Sequence, residues 1–268
     1  MTYCSVRFRA ELEVSAETSA LLMIEAPNTS EQTVFEQALF APVGIELEPF
    51  LDHYGNPSRR GVIPAGYAQV EYRAFVETNL KTGVAGPSDA AADAPSDLPP
   101  ETLHFLLPSR YCPSDQLDTV AQDLFGLEGG AYERVQNIVE WIHDKVKYES
   151  GSSDTDTTAV NTFVARAGVC RDFAHLTISF CRALNIPARY MSGYCLGLEP
   201  PDLHAYVQAY VNGQWVCFDA TAPAPRPALI QIGVGRDAAD CAWSTFYGTG
   251  KTNWMGVEVA EAEPPAVR

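Results

Sequence analysis

Residues 204–211 read HAYVQAYV, residues 212 and 213 are Asn-Gly, and residues 214–220 read QWVCFDA. Two strand-like runs joined by Asn-Gly form the strongest short-range hairpin signal, because a type I′ turn needs positive φ at both central residues. A two-residue turn sets the register: Val211 faces Gln214, Tyr206 faces Asp219 and His204 faces Thr221. Paired residues, and residues two apart, share one side of a sheet. His204 and Asp219 are therefore diagonal neighbours, with backbones about 7–8 Å apart, a gap that side chains can close. Ala205, Val207, Ala209, Val211, Val216, Phe218 and Ala220 form the opposite face, which is wholly apolar. The reading is a hairpin with core behind it and His204 and Asp219 on its polar side.

Upstream, Gly168-Val169-Cys170 opens a helix that runs to about Asn185, with Pro187 just beyond its end. Its apolar stripe is Phe173, Thr177, Phe180, Cys181 and Leu184. Val135, Ile138, Val139, Ile142 and Val146 follow the spacing of an amphipathic helix, and a shorter helix is expected over Thr157 to Arg166. Ala188 to Tyr194 reads as a further strand. The first 80 residues read as all-β. Cys4, Val6, Phe8, Ala10, Leu12 and Val14 alternate with mostly polar residues, and Ala68, Val70, Tyr72, Ala74 and Val76 do the same. Asp52-His53-Tyr54-Gly55-Asn56-Pro57 between them is turn chemistry. Residues 81–101, KTGVAGPSDAAADAPSDLPPE, hold almost nothing to bury and read as a flexible linker or loop. The expected division is an N-terminal β domain over 1–80, the linker over 81–101 and an α+β core over 102–268.

The chain has 268 residues, 34 acidic against 18 basic, for a formal net charge of −16. That balance disfavours nucleic acid, whose phosphates call for clustered Lys and Arg, and an anionic membrane surface. No apolar run approaches the ~18 residues that a spanning helix needs. Seven cysteines without CxxC spacing, and no secretory leader, read as reduced cytoplasmic thiols. No His or carboxylate set has ligand spacing, so neither a metal nor another cofactor is expected.

Cys170 is the cysteine that position singles out. The free N–H groups and dipole of a helix start favour an anion, so they stabilise a thiolate and can hold a developing oxyanion. A nucleophilic thiol needs a base. His175 lies five residues on, about 140° round the same helix, and points away. His53, His104 and His143 have no evident carboxylate partner in their local pattern. His204 has Asp219, which would orient one ring nitrogen and leave the other for the thiol.

Gly168-Val169-Cys170-Arg171-Asp172-Phe173-Ala174-His175-Leu176, Arg182 through Tyr190, Ser192-Gly193-Tyr194, His204-Ala205-Tyr206 and Trp215 through Thr221 together resemble the bacterial transglutaminase-like superfamily. Pro108 to Cys112, the turn Asp52 to Asn56, Gly235-Arg236-Asp237 and Asp240 also fit it, the earlier segments as that family's N-terminal β domain. The resemblance implies a papain-like core in which a Cys-bearing helix packs on an antiparallel sheet. It implies Cys170 as nucleophile, His204 as base then acid, and Asp219 as orienter. Two positions depart from the pattern: Tyr206 where the family usually has Trp, and Ala220 where it usually has Pro. Asp172 either caps the helix, the favoured role, or binds a substrate amine. Tyr148 is a candidate oxyanion donor, and Tyr206 touches the site face. Cys217 falls on that face as a packed thiol, and His175 is expected to make a structural hydrogen bond. Asp237 and Asp240 either hold a loop or line the pocket.

The expected activity is thiol acyl transfer on an amide of a peptide or protein substrate. Resolution of the thioester by water makes a cysteine protease or amidase, the favoured outcome; resolution by an amine makes a transglutaminase. A non-catalytic binding domain of the same fold is the alternative. The N-terminal β domain is a candidate surface for homo-oligomerisation.

Overall fold

The computed structural model describes residues 1–82, 94–222 and 226–264. Six strands come first: β1 (Thr2–Val14), β2 (Thr18–Leu22), β3 (Gln32–Phe40), β4 (Leu47–Leu51), β5 (Pro57–Ile63) and β6 (Gly66–Thr78). β1 and β6 pair antiparallel along their whole length, with Cys4 opposite Val76, Phe8 opposite Tyr72 and Leu12 opposite Ala68. The alternation in the sequence is the reason, since every even position of β1 from Cys4 to Val14 is buried.

The second half runs α1 (Asp118–Phe125), α2 (Ala131–Lys145), β7 (Lys147–Tyr148), α3 (Ala159–Ala165), β8 (Ala167–Gly168) and α4 (Cys170–Ala183). β9 (Ala188–Cys195), β10 (His204–Val211), β11 (Gln214–Phe218), β12 (Leu229–Gly235), β13 (Ser244–Tyr247) and β14 (Gly250–Glu261) follow. The core sheet has the order β11-β10-β9-β12 and is antiparallel throughout. The β10–β11 register is the one the Asn-Gly turn requires, from Val211 opposite Gln214 to Val207 opposite Phe218. Asn212 and Gly213 carry the two positive φ angles, 55° and 78°. Among the described residues no helix is long and apolar enough to cross a membrane.

Three features differ from the sequence reading. First, the chain end returns to the N-terminal sheets: β14 pairs with β1, and β13 with β2. The division at 102–268 therefore does not follow the sheets. β14 shows no clean alternation, and Val257 is its one fully buried apolar residue, so the pattern of period two is weak there. Second, the expected linker is anchored at both described ends. Thr82 and Leu98 are buried, and a 3₁₀ helix at Pro100–Leu106 buries Phe105; residues 83–93 lie outside the described residues. Third, the face of the hairpin that carries His204 is covered. Tyr206 and Cys217 pack with Met191, Cys195, Leu229, Val234 and, from the N-terminal module, Leu80. The sheet is thus buried on both faces, which period-two alternation on one hairpin cannot show.

α4 is the centre of the core. All its residues from Asp172 to Ala183 are buried. One side meets β9 and β10; on the other, Phe125, Trp141 and Phe163 meet Phe180 edge to face. The Arg182 guanidinium, buried in α4, donates to the carbonyls of Ala188, Leu107 and Arg236 and to Ser109 Oγ. At the helix start the Val169 N–H donates to Asp172 Oδ2 at 2.9 Å, and Asp172 is wholly enclosed.

Side-chain amides join the two modules. Gln32 donates to the Gln231 carbonyl and accepts from its N–H, and Asn56 does the same with Val234. β12 is the edge strand, so these amides satisfy backbone groups that would otherwise lie open. Asp52 in turn holds Asn56, accepting from its N–H and from Nδ2.

Two substitutions test this account. Gly193 lies opposite His204 in the ladder, and a Cβ there would stand 2.3 Å from the Ile230 carbonyl oxygen. Gly193→Ala should force β9 and β12 apart and lower stability by about 1–3 kcal/mol in a denaturant melt. Asp172→Ala orphans the Val169 N–H and should cost about 1–2 kcal/mol in the same assay.

Candidate active site

Cys170 is the first residue of α4, where Val169 before it is extended and the helix N–H groups are free to point outward. It is half-buried, whereas the other six cysteines, all free thiols, are buried. β7 and β8 form a short parallel pair that sets Tyr148 opposite Gly168. That pairing sets Tyr148 beside the start of α4, its ring 5.8 Å from that of Phe173. Burial, and then the charge of Cys170, hold the Tyr148 phenol above its ordinary pKa. Tyr148 is 52% exposed, so it borders solvent near the thiol.

His204 begins β10, and Asp219 follows β11. The His204 Nε2–H donates to Asp219 Oδ2 at 2.7 Å. Asp219 Oδ1 accepts from the Thr221 N–H at 2.9 Å and from its hydroxyl at 2.7 Å. Arg226 Nε donates to Oδ2 at 2.9 Å, beside the imidazole. Burial alone would push the His204 pKa down. The hydrogen bond to Asp219, with the charges of Asp219 and Cys170, outweighs it and pushes it up to about 9. For Asp219, burial would push the carboxyl up, but the bonds from His204 and Thr221 hold it well below the usual carboxylate range. His204 Nδ1 is buried and makes no hydrogen bond. With Nε2 given to Asp219, Nδ1 is the ring nitrogen left for the thiol.

Cys170 and His204 both line a cleft of about 430 Å³. Tyr111, Arg171, Tyr190, Ser192, Leu203 and Ala205 form part of its wall. Met23, Trp243 and Ser244, contributed by the N-terminal sheets, form another part, tied together where the Met23 N–H donates to the Trp243 carbonyl. Among the described lining residues there is no Asp or Glu. The Ser192 hydroxyl is buried without a partner.

The structure brings Cys170, His204, Asp219 and Tyr148 together. It removes two residues from substrate contact. Asp172 has no exposed surface; it caps α4 and pairs with Arg171 at 3.2 Å. Tyr206 is 1% exposed and lies against the His204 ring, 6.2 Å between centroids, supporting the imidazole from the covered face. Other expected roles resolve as well. His175 Nε2 accepts from the Ala238 N–H at 3.2 Å, and its ring lies against Tyr111 and Tyr190. Asp237 holds a loop by accepting from the Tyr111 and Ala239 N–H groups. Asp240 pairs with Arg236 and accepts from the Tyr54 hydroxyl. Cys217 is a packed thiol facing Gln208 Nε2.

Arg226, Met23 and Trp243 were not anticipated. Arg226 follows Thr221-Ala-Pro-Ala-Pro, a run with no strand or helix periodicity. Met23 and Trp243 sit on elements remote in sequence, so no local pattern could place them at the cleft.

Comparison with known proteins bears on the fold and the family. The transglutaminase-like superfamily matches residues 118–220. The crystal structure of a candidate cysteine protease from Cytophaga hutchinsonii superposes with a TM-score of 0.91 at 35% identity, over 99% of this chain and 92% of that one. The uncharacterized protein ML0607 of Mycobacterium leprae is 33% identical over 126 residues, 42% of this chain and 44% of its own. Rv2569c of Mycobacterium tuberculosis, also uncharacterized, is 32% identical over 124 residues, 40% and 39% of the two chains. The match thus spans less than half the length of these curated relatives. With a solved relative matched over 99% of this chain and the superfamily's core matched over residues 118–220, which include Cys170, His204 and Asp219, the chain belongs to the transglutaminase-like superfamily.

Proposed function

We propose that this protein is a thiol acyl-transfer enzyme acting on amide bonds of peptides or proteins, and that it hydrolyses them. The observation that carries the reading is one imidazole, His204, bonded to a buried carboxylate through Nε2 and left with Nδ1 toward a thiol at a helix N-terminus. The similar Cytophaga protein, described as a candidate cysteine protease, supports the hydrolytic outcome.

The Cys170 sulfur, its proton taken by His204, attacks the carbonyl carbon of the amide. The carbonyl π pair moves to oxygen, and the oxyanion meets helix-start N–H groups and the Tyr148 hydroxyl. As the C–N bond breaks, the His204 imidazolium gives its proton to the departing nitrogen. A thioester remains. Water, deprotonated by His204, attacks it; the acid leaves and the thiol is restored. Asp219 keeps the imidazole in one tautomer and favours its cationic form. The cleft wall, apolar apart from Arg171 and a few hydroxyls, suits a neutral acyl donor.

Cys170 is the most accessible thiol, so selective labelling alone would not prove activation. Alkylation of Cys170 by iodoacetamide at pH 6 should instead slow about tenfold or more in His204→Ala, read by mass spectrometry. An equal rate in both proteins would leave Cys170 an ordinary accessible thiol. With a quenched peptide pool, Cys170→Ala should abolish turnover and His204→Ala should lower kcat/KM by about 10³-fold or more. A fluorescent amine added to the assay separates release of free acid from amine incorporation.

The pH dependence has a definite sign. The folded His204 value, about 9, lies above the ordinary 6.5. Its favourable interactions are complete below the lower value and are lost as pH rises through the upper one. Activity that needs the imidazolium should therefore fall across a limb near the higher value, and in Asp219→Asn that limb should move down.

A further inference from the structure

Arg226 has no part in the chemistry above, yet it is built into the site from two sides. Its Nε donates to the Asp219 oxygen that holds His204, and its Nη2 donates to the Thr221 hydroxyl at 3.1 Å. Thr221 grips the other oxygen of the same carboxylate. The Asp219 carboxylate is thus held by three side chains and one backbone N–H, and of these donors His204 alone is among the described residues that line the cleft.

The backbone of Arg226 is held by the N-terminal module. Its N–H donates to Thr82 Oγ1 at 2.7 Å, and the Thr82 N–H donates to its carbonyl at 3.3 Å. The same seam continues where the Leu229 N–H donates to the Leu80 carbonyl and Thr78 Oγ1 donates to the Leu229 carbonyl. Residues 78–82, which leave β6, therefore run beside residues 226–229 as an extension of both modules.

We propose that Arg226 is a positioning residue that locks Asp219 onto His204, and that the chain leaving the N-terminal β module holds Arg226 in place for this task. The proposal rests on the thiol acyl-transfer reading. It gives the N-terminal module a second role besides forming the cleft wall with Met23 and Trp243: the orientation of the catalytic carboxylate depends on its docking. The guanidinium of Arg226 is a like charge to the imidazolium, so its loss alone would raise the His204 pKa, whereas loss of the hold on Asp219 would lower it. The other groups facing His204 are Asp219, Cys170 and Asp202; Asp219 and Arg226 additionally face Cys195.

The test uses the full chain, with ¹⁵N-histidine NMR to titrate His204 and iodoacetamide to time Cys170. In Arg226→Gln the His204 pKa should fall by about half a unit or more, because Asp219, whose hydrogen bond and charge raise it, is no longer held on the imidazole. Cys170 alkylation at pH 6 should slow about tenfold for the same reason. Arg226→Lys keeps a charge and one donor, so both the titration and the alkylation rate should recover in part. Thr82→Val removes one hydroxyl and carries the test if Arg226→Gln fails to fold; it should slow alkylation about threefold. A His204 titration and alkylation rate in Arg226→Gln, or an alkylation rate in Thr82→Val, equal to the parent's would overturn the positioning role. A slower rate in Arg226→Gln with an unmoved or raised titration would also overturn it, leaving a structural contact or a charge effect alone. If instead the parent itself alkylates no faster than His204→Ala, the acyl-transfer reading is what falls.

Discussion

Everything at the site depends on keeping one carboxylate ionised inside the protein. Asp219 is nearly inaccessible, and a charge in such a place is tolerated only when its lone pairs are met by donors. Here four donors from three residues meet it: the imidazole of His204, the N–H and hydroxyl of Thr221, and the guanidinium of Arg226. The return is local electrostatics of use to chemistry. An anion in a place with little water acts strongly on the imidazole beside it, and this overcomes the burial that would otherwise discharge His204. The same reasoning explains Tyr206: a large ring covering the outer side of the imidazole keeps water from competing for Asp219.

The N-terminal module is integral to this environment. Its strands bury the second face of the core sheet, its Gln32 and Asn56 amides close the β12 edge, and Met23 with Trp243 forms part of the cleft. A sheet with one face bare would leave Tyr206 and Cys217 in water and the His204–Asp219 pair partly solvated. The return of the chain end as β14 along β1 also makes β1 an inner strand of the long N-terminal sheet, with β14 at its edge.

Much of this was legible locally. The Asn-Gly turn dictates a register, and that register alone makes His204 and Asp219 neighbours. The helix start at Cys170 was readable from Gly168 and from the apolar stripe through Leu184. The alternation in β1 and β6 was complete enough to name each buried apolar residue. Asp172 could be assigned to the cap because a carboxylate at the third helical position reaches back to a free N–H by local geometry alone.

What could not be read depends on contacts between segments far apart in the chain. Arg226 lies in a Pro-interrupted run whose backbone position is set by hydrogen bonds to Thr82, 144 residues away. β14 lacks a strong pattern because it is satisfied by pairing with β1 more than by burial of its own side chains. The hairpin face that looked polar is covered because Leu80 and its neighbours dock there. The amino-acid order alone determined the long alternating strands β1 and β6, which register the hairpin takes and which Cys, His and Asp can meet, because turn geometry and side-chain period act over a few residues. Only the tertiary structure decided which faces lose water, which cation shares Asp219 and what closes the cleft, because desolvation and long-range pairing arise from whichever distant segments pack together.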